Sequence, residues 1–181
     1  MAKFPLITDK SQVAVEHHRV VDAIIGSRGS LAGPFNVFLH SPEIAGRIAH
    51  LGTLVRFEGS LDFRARTLAA MVVAREYDAL YVWGAQTGVG RKRDIPESTI
   101  AAIRDNHSRG IPAEDTLVVD ATRQLLRAHR LDDATRDALL ARFGRDQFIQ
   151  LTGAIGYYTL LAMTVNACEL EPAAGADVLP V

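Results

Sequence analysis

A single cysteine, Cys168, stands in the 181 residues. It excludes an intrachain disulfide, a CxxC redox pair and a Cys-rich zinc site, and with them any dithiol mechanism. An excess of one charge is missing too: 20 Lys plus Arg against 21 Asp plus Glu leave a formal charge of −1, so no overall field draws the chain to nucleic acid or to an anionic membrane. There is no sustained apolar-polar alternation and no Asn-Gly or Asp-Gly pair, the usual marks of strands and hairpins. The six histidines, at 17, 18, 40, 50, 107 and 129, form no HExxH motif and no pair four residues apart, so no metal is expected. Gly88 and Gly90 follow no strand, which removes the setting of a phosphate-binding glycine loop. No cofactor is expected.

What is present is helical. A composition of 48% hydrophobic and 23% charged residues fits one soluble domain, and the apolar spacing predicts an all-α chain. A helix over 12–26 leads into a loop from Gly26 to Pro34, whose glycines and proline break regular structure. Phe35, Val37, Phe38 and Leu39 then read as a clamp over the core. Ser41 and Pro42 start a helix with Ile44, Ile48, Leu51 and Val55 as its inward stripe, ending near Gly59. Ser60 is a candidate cap for the next helix, through Leu68 and Met71 to Tyr77; helices over 83–93, 96–106 and 113–130 follow. Asp132 caps another, Gly144 ends it, and 146–168 forms the last. This organisation gives an N-terminal helix and glycine-rich loop over 1–30, the main domain over 31–170 and a tail over 171–181.

The last helix carries no charge between Asp146 and Glu169, a run long enough for a bilayer. Gln147, Gln150, Thr152, Thr159, Thr164 and Asn166 recur through it, however, and point to a buried or subunit-interface helix. The start, Met1-Ala2-Lys3-Phe4-Pro5, lacks the apolar stretch of a secretory leader, and a cytoplasmic location without membrane attachment is expected.

Few residues stand out as chemistry. Glu58 lies where one helix hands over to another, between Phe57 and Leu61; partial burial there would raise its pKa and suit it to proton transfer. Tyr81, Trp83 and Gln86 offer a hydroxyl, an indole N–H and an amide to a substrate carboxylate or enolate, or pack as plain core. His40, Glu43 and His50 are able to converge on one pocket. Arg91-Lys92-Arg93 reads as a solvated basic run favoured at a helix C-terminus.

Leu39-His40-Ser41-Pro42-Glu43, then Leu54 to Leu61, then Tyr81-Val82-Trp83, then Leu151 to Ala167 together resemble the carboxymuconolactone decarboxylase and AhpD-like alkylhydroperoxidase family. The resemblance covers most of 30–170 and implies an all-α helical bundle with a helix-hairpin core, assembled as a homo-oligomer such as a trimer or hexamer. Thiol peroxidases of this family share a relay spaced Glu-x11-Cys-x2-Cys-x3-His, which falls here on Thr67, Ala79, Val82 and Gln86. Every relay member is replaced, so peroxidase activity is not expected. The cysteine-free branch implies a cofactor-free, decarboxylase-type lyase acting on a small acidic, aromatic-derived compound. On that reading Glu58, Tyr81 and Gln86 are the catalytic candidates, and Arg64, Arg66, Thr67, Trp83 and His40 bind the substrate. The alternative is a non-catalytic binding or scaffold subunit that kept the fold and lost the relay.

Overall fold

A computed structural model describes residues 4–180 and contains no strand among them. The chain divides into two compact units, Met1–Gly59 with Thr164–Glu171, and Ser60–Met163 with Pro172–Val181.

The first unit opens with two short 3-10 turns, Lys10–Gln12 and Val15–His17, ahead of α1, His18–Arg28. The helix expected over 12–26 is therefore displaced. Asp9 and Gln12 close a capping box around the first turn, and Val13 leaves it extended, so the local hydrogen bonds are spent before a regular helix begins. Gly26 stays within α1, and the break comes at Gly29, which closes the helix with φ 81°. After the loop, α2, Phe35–Phe38, has all its residues buried, with Leu39 behind them; the expected clamp is present.

α3, Pro42–Thr53, begins at the expected Ser-Pro step. The Ser41 hydroxyl makes no cap bond, and its carbonyl takes the Ala45 N–H at 2.9 Å. The inward face is Ala45, Ile48, Ala49 and Gly52, whereas Ile44 and Leu51 are exposed. The expected stripe is thus turned about the helix axis. α3 packs on α1, so closely that a Cβ on Gly46 would already touch Val20 at 3.4 Å; Ile48 stays inside as expected, while Ile44 and Leu51 are left outside. A π-helical turn, Leu54–Glu58, continues α3 to Gly59.

The second unit is built around α4, Phe63–Glu76, against which α5 (Leu80–Arg91), α6 (Glu97–Arg104) and α7 (Ala113–Arg127) pack. Every residue from Ala65 to Ala74 is buried, the signature of a helix wrapped on all sides. Its cap is Asp62, which accepts the Ala65 N–H at 3.1 Å. Ser60 instead donates to Asp146 at 2.7 Å, and Leu61 N–H to Gln150 at 3.0 Å. Asp132 caps α8 by accepting the Thr135 N–H at 2.7 Å, as expected.

α8, Asp133–Ala167, is interrupted at Gly144, whose φ 67° and ψ 178° lie in a region that only glycine occupies readily. Beyond the break it is long and apolar enough, by length and composition, to cross a membrane. Leu151, Ala154, Ile155, Tyr157, Tyr158, Leu161 and Ala162 are nevertheless buried in the protein itself, as in the core helix of a soluble fold. Ile149, Gly153, Gly156, Leu160 and Met163 remain exposed along one line.

Candidate functional site

α4 and α5 hold most of the sequence candidates. Arg64, in the first turn of α4, donates from Nε and Nη2 to the two carboxylate oxygens of Asp115 at 2.7 and 2.6 Å. Asp115 is fully buried, and its hydrogen bonds raise the Arg64 pKa further. Arg66 is buried with its guanidinium 4.3 Å from the centre of the Phe63 ring. Both arginines bind groups of the protein. Thr67, the expected acid position of the relay, is buried and donates to the Phe63 carbonyl of its own helix at 2.9 Å.

On α5 and its cap, Ala79 and Val82, the expected relay cysteine positions, are buried, while Gln86 is half-buried. Tyr81 is half-buried, and that burial raises its phenol above the ordinary 10.0. Such a group stays a neutral hydrogen-bond donor across the physiological range.

Glu58 belongs to the other unit. It sits exposed at the end of the π-helical turn beside an exposed Phe57, so the burial that would have suited it to proton transfer is absent. His40 is exposed, and its Nε2 donates to the Pro5 carbonyl at 2.6 Å. Glu43 and His50 line one cavity of about 300 Å³ with Val20 and Arg47, but His40 does not join them. Glu43 is paired with Arg47 at 2.6 Å, and that hydrogen bond holds its carboxyl below the usual range.

Trp83 is the candidate with the clearest setting. It is only 1% exposed, yet its indole Nε1 has no hydrogen-bond partner among the described residues. A buried donor left unpaired costs about 1–3 kcal/mol. Trp83 lines a cavity of about 300 Å³ walled by Ile100 and Ala101 of α6 and by Ala176–Val178 of the C-terminal segment. That volume is the lower end of what small-molecule sites offer. Arg91, Glu97, Arg104 and Asp177 supply its charges. Arg91 donates to both Glu97 oxygens and to Asp177. The bond from Arg91 holds the Asp177 carboxyl below its ordinary value.

Arg104 and Asp177 did not emerge from the sequence, and Arg91, expected in a solvated basic run, is instead paired with Glu97 and Asp177. Arg91 and Asp177 are 86 residues apart, and no local pattern joins them. One signal was available in Gly84, beside Trp83 within a helical stretch, since a helix-interior glycine often marks a close approach. A Cβ there would lie 2.7 Å from the Ala176 Cβ.

No family model and no curated protein matches the sequence. Solved structures do match its shape. An uncharacterized peroxidase-related protein from Ralstonia eutropha JMP134, described as an alkylhydroperoxidase AhpD core, superposes with a TM-score of 0.77 over 96% of this chain and 93% of its own, at 14% identity. The chain has the AhpD-like fold. A peroxidase-related protein from Silicibacter sp. TM1040 gives a TM-score of 0.74 over 97% and 95% of the two chains at 14% identity. A protein from Agrobacterium tumefaciens, named as a candidate antioxidant defence protein AhpD, gives 0.69 over 79% and 99% at 15% identity. Thr67, Ala79, Val82 and Gln86, where the resemblance puts the thiol relay, carry neither thiol, carboxylate nor imidazole. The one cysteine, Cys168, is buried, and burial raises its pKa, the opposite of an activated thiolate.

Proposed function

We propose that this protein uses an AhpD-like fold to bind a small organic acid, by chemistry that involves no thiol. The observation that carries the reading is Trp83, whose buried N–H is unpaired, on the lining of a cavity that also presents Arg91 and Arg104. Arg91 is shared with Glu97 and Asp177, and Arg104 with Asp105; an acid with a compact apolar body would compete with these carboxylates for the guanidiniums and meet the aromatic wall. Thermal stabilisation by a panel of small aromatic and lactone carboxylic acids tests it, because a ligand of the folded state raises the apparent stability by mass action. A shift with acids and none with their amides is expected; no shift with any acid refutes the reading and moves the protein to a scaffold role.

A second reading adds catalysis: a cofactor-free, decarboxylase-type lyase on an aromatic-derived acid. It is favoured by Tyr81, held as a neutral donor by burial, and by the half-buried Gln86 amide on the same helix. Carbon dioxide release from a stabilising acid, lost in Gln86→Ala at unchanged helicity, is its test. Both readings take the protein as a homo-oligomer. The support is the exposed line Ile149, Gly153, Gly156, Leu160 and Met163 on α8, whose alternating spacing of four and three is that of a helix-helix seam.

A further inference from the structure

The C-terminal segment has an unusual relation to the Trp83 cavity, in that it supplies both a wall and a charge. Asp177 is bonded to Arg91 from within the cavity lining, and the Arg104 guanidinium adds a second favourable charge. Asp177 is itself a carboxylate on a short apolar body, flanked by Ala176 and Val178. The segment is docked at a place shaped for it. Gly84 lacks the Cβ that would collide with Ala176 and would come within 3.2 Å of the Asp177 carbonyl oxygen, and Leu179 is buried just beyond. Yet the segment has no regular secondary structure, and Val178 is 63% exposed, so it is held by its side chains and by no helical or sheet hydrogen-bond ladder.

We propose that Asp177 is an internal occupant of the acid site: the C-terminal segment is a strap whose carboxylate holds Arg91 until a small monocarboxylate displaces it and takes up the free Trp83 N–H as well. The proposal rests on the small-acid reading above and adds the place and the regulation. The ligand gains one donor that Asp177 leaves unused, which supplies the preference for exchange. A site blocked for most of the time binds with an affinity reduced by the open fraction, so weakening the strap tightens binding without any new contact.

The sequence contains one tryptophan, so fluorescence excited selectively at the indole, beyond the tyrosine absorption, reports on this cavity alone. Benzoate is titrated against the parent protein and against Asp177→Asn, Gly84→Ala and Arg91→Gln, with benzamide as the uncharged control. The expected result is that Asp177→Asn and Gly84→Ala both bind benzoate about tenfold more tightly than the parent. Gly84→Ala does so with Arg91 and Asp177 intact. Arg91→Gln loses binding, and benzamide gives no saturable change. Benzoate affinity equal in the parent, Asp177→Asn and Gly84→Ala overturns the strap while leaving the small-acid reading in place. Benzoate binding that survives Arg91→Gln moves the acid site elsewhere. If no acid of the panel perturbs the fluorescence or the melting of any of the four proteins, the strap falls together with the reading beneath it.

Discussion

Replacing Arg64 by alanine should damage stability far more than ligand binding. The side chain was an anion seat by sequence, but both of its donors go to Asp115, which is wholly buried, whereas Arg64 is 28% exposed. Removing one partner of a buried ion pair costs about 3–5 kcal/mol, because the other charge stays behind without compensation. Asp115 lies in the first turn of α7, where the helix dipole returns about 0.3–1 kcal/mol to a carboxylate. The net expectation for Arg64→Ala is a loss of about 2–4 kcal/mol. For a chain of this length that lowers Tm by roughly 4–16 °C, at about 2–4 °C per kcal/mol. The converse change, Asp115→Ala, leaves a guanidinium that reaches water and the Asp94 carbonyl at 3.3 Å, and should cost only about 1–2 kcal/mol. The double variant Arg64→Met/Asp115→Leu removes both charges and should return to within about 1 kcal/mol of the parent. Urea melts followed by circular dichroism measure all three. An Arg64→Ala loss below 1 kcal/mol, or an Asp115→Ala loss larger than that of Arg64→Ala, would refute the argument from burial.

Asp177 has its pKa depressed in the folded protein from an ordinary 3.8, so the docking stabilisation it provides is complete above that value and is lost as pH falls through the lower folded one. Trp83 fluorescence should therefore change at pH below about 4 in the parent and not in Asp177→Asn. Tyr81 works in the other direction. Its raised pKa gives a contribution present below pH 10.0 and lost as pH rises through the folded value, and Tyr81→Phe should diminish the late phase of an absorbance titration at alkaline pH. Gly144→Ala forces a side chain onto φ 67° and ψ 178° and should cost about 1–3 kcal/mol in the same urea melts. Purified protein should consume no organic hydroperoxide, and Cys168→Ala should behave identically; a rate that disappears with Cys168 would restore a thiol mechanism.

The all-α architecture was legible because helix starts and stops are local. Ser41-Pro42, Asp132 and Gly144 act within four residues of themselves, and each marks the boundary expected of it. The phase of α3 was only partly legible: Ile48 is buried as expected, but Ile44 and Leu51 are exposed and the rest of the buried face is the small Ala45, Ala49 and Gly52. Trp83 could be singled out from its chemistry, but its cavity depends on Arg91 meeting a residue near the other end of the chain. Glu58 failed for a related reason. Its apolar neighbour Phe57 promised burial, and Phe57 is itself 55% exposed.

Because α4 is enclosed along Ala65–Ala74, it has no side on which change is free. A surface helix tolerates substitution in a rhythm of three and four, as its outer face comes round. In a saturation-mutagenesis map of this chain, that rhythm should vanish over ten consecutive positions and leave an unbroken intolerant block. Within it, enlarging Ala69 or Ala70 should do as much harm as truncating Leu68 or Met71, since the alanines set how closely the neighbouring helices approach.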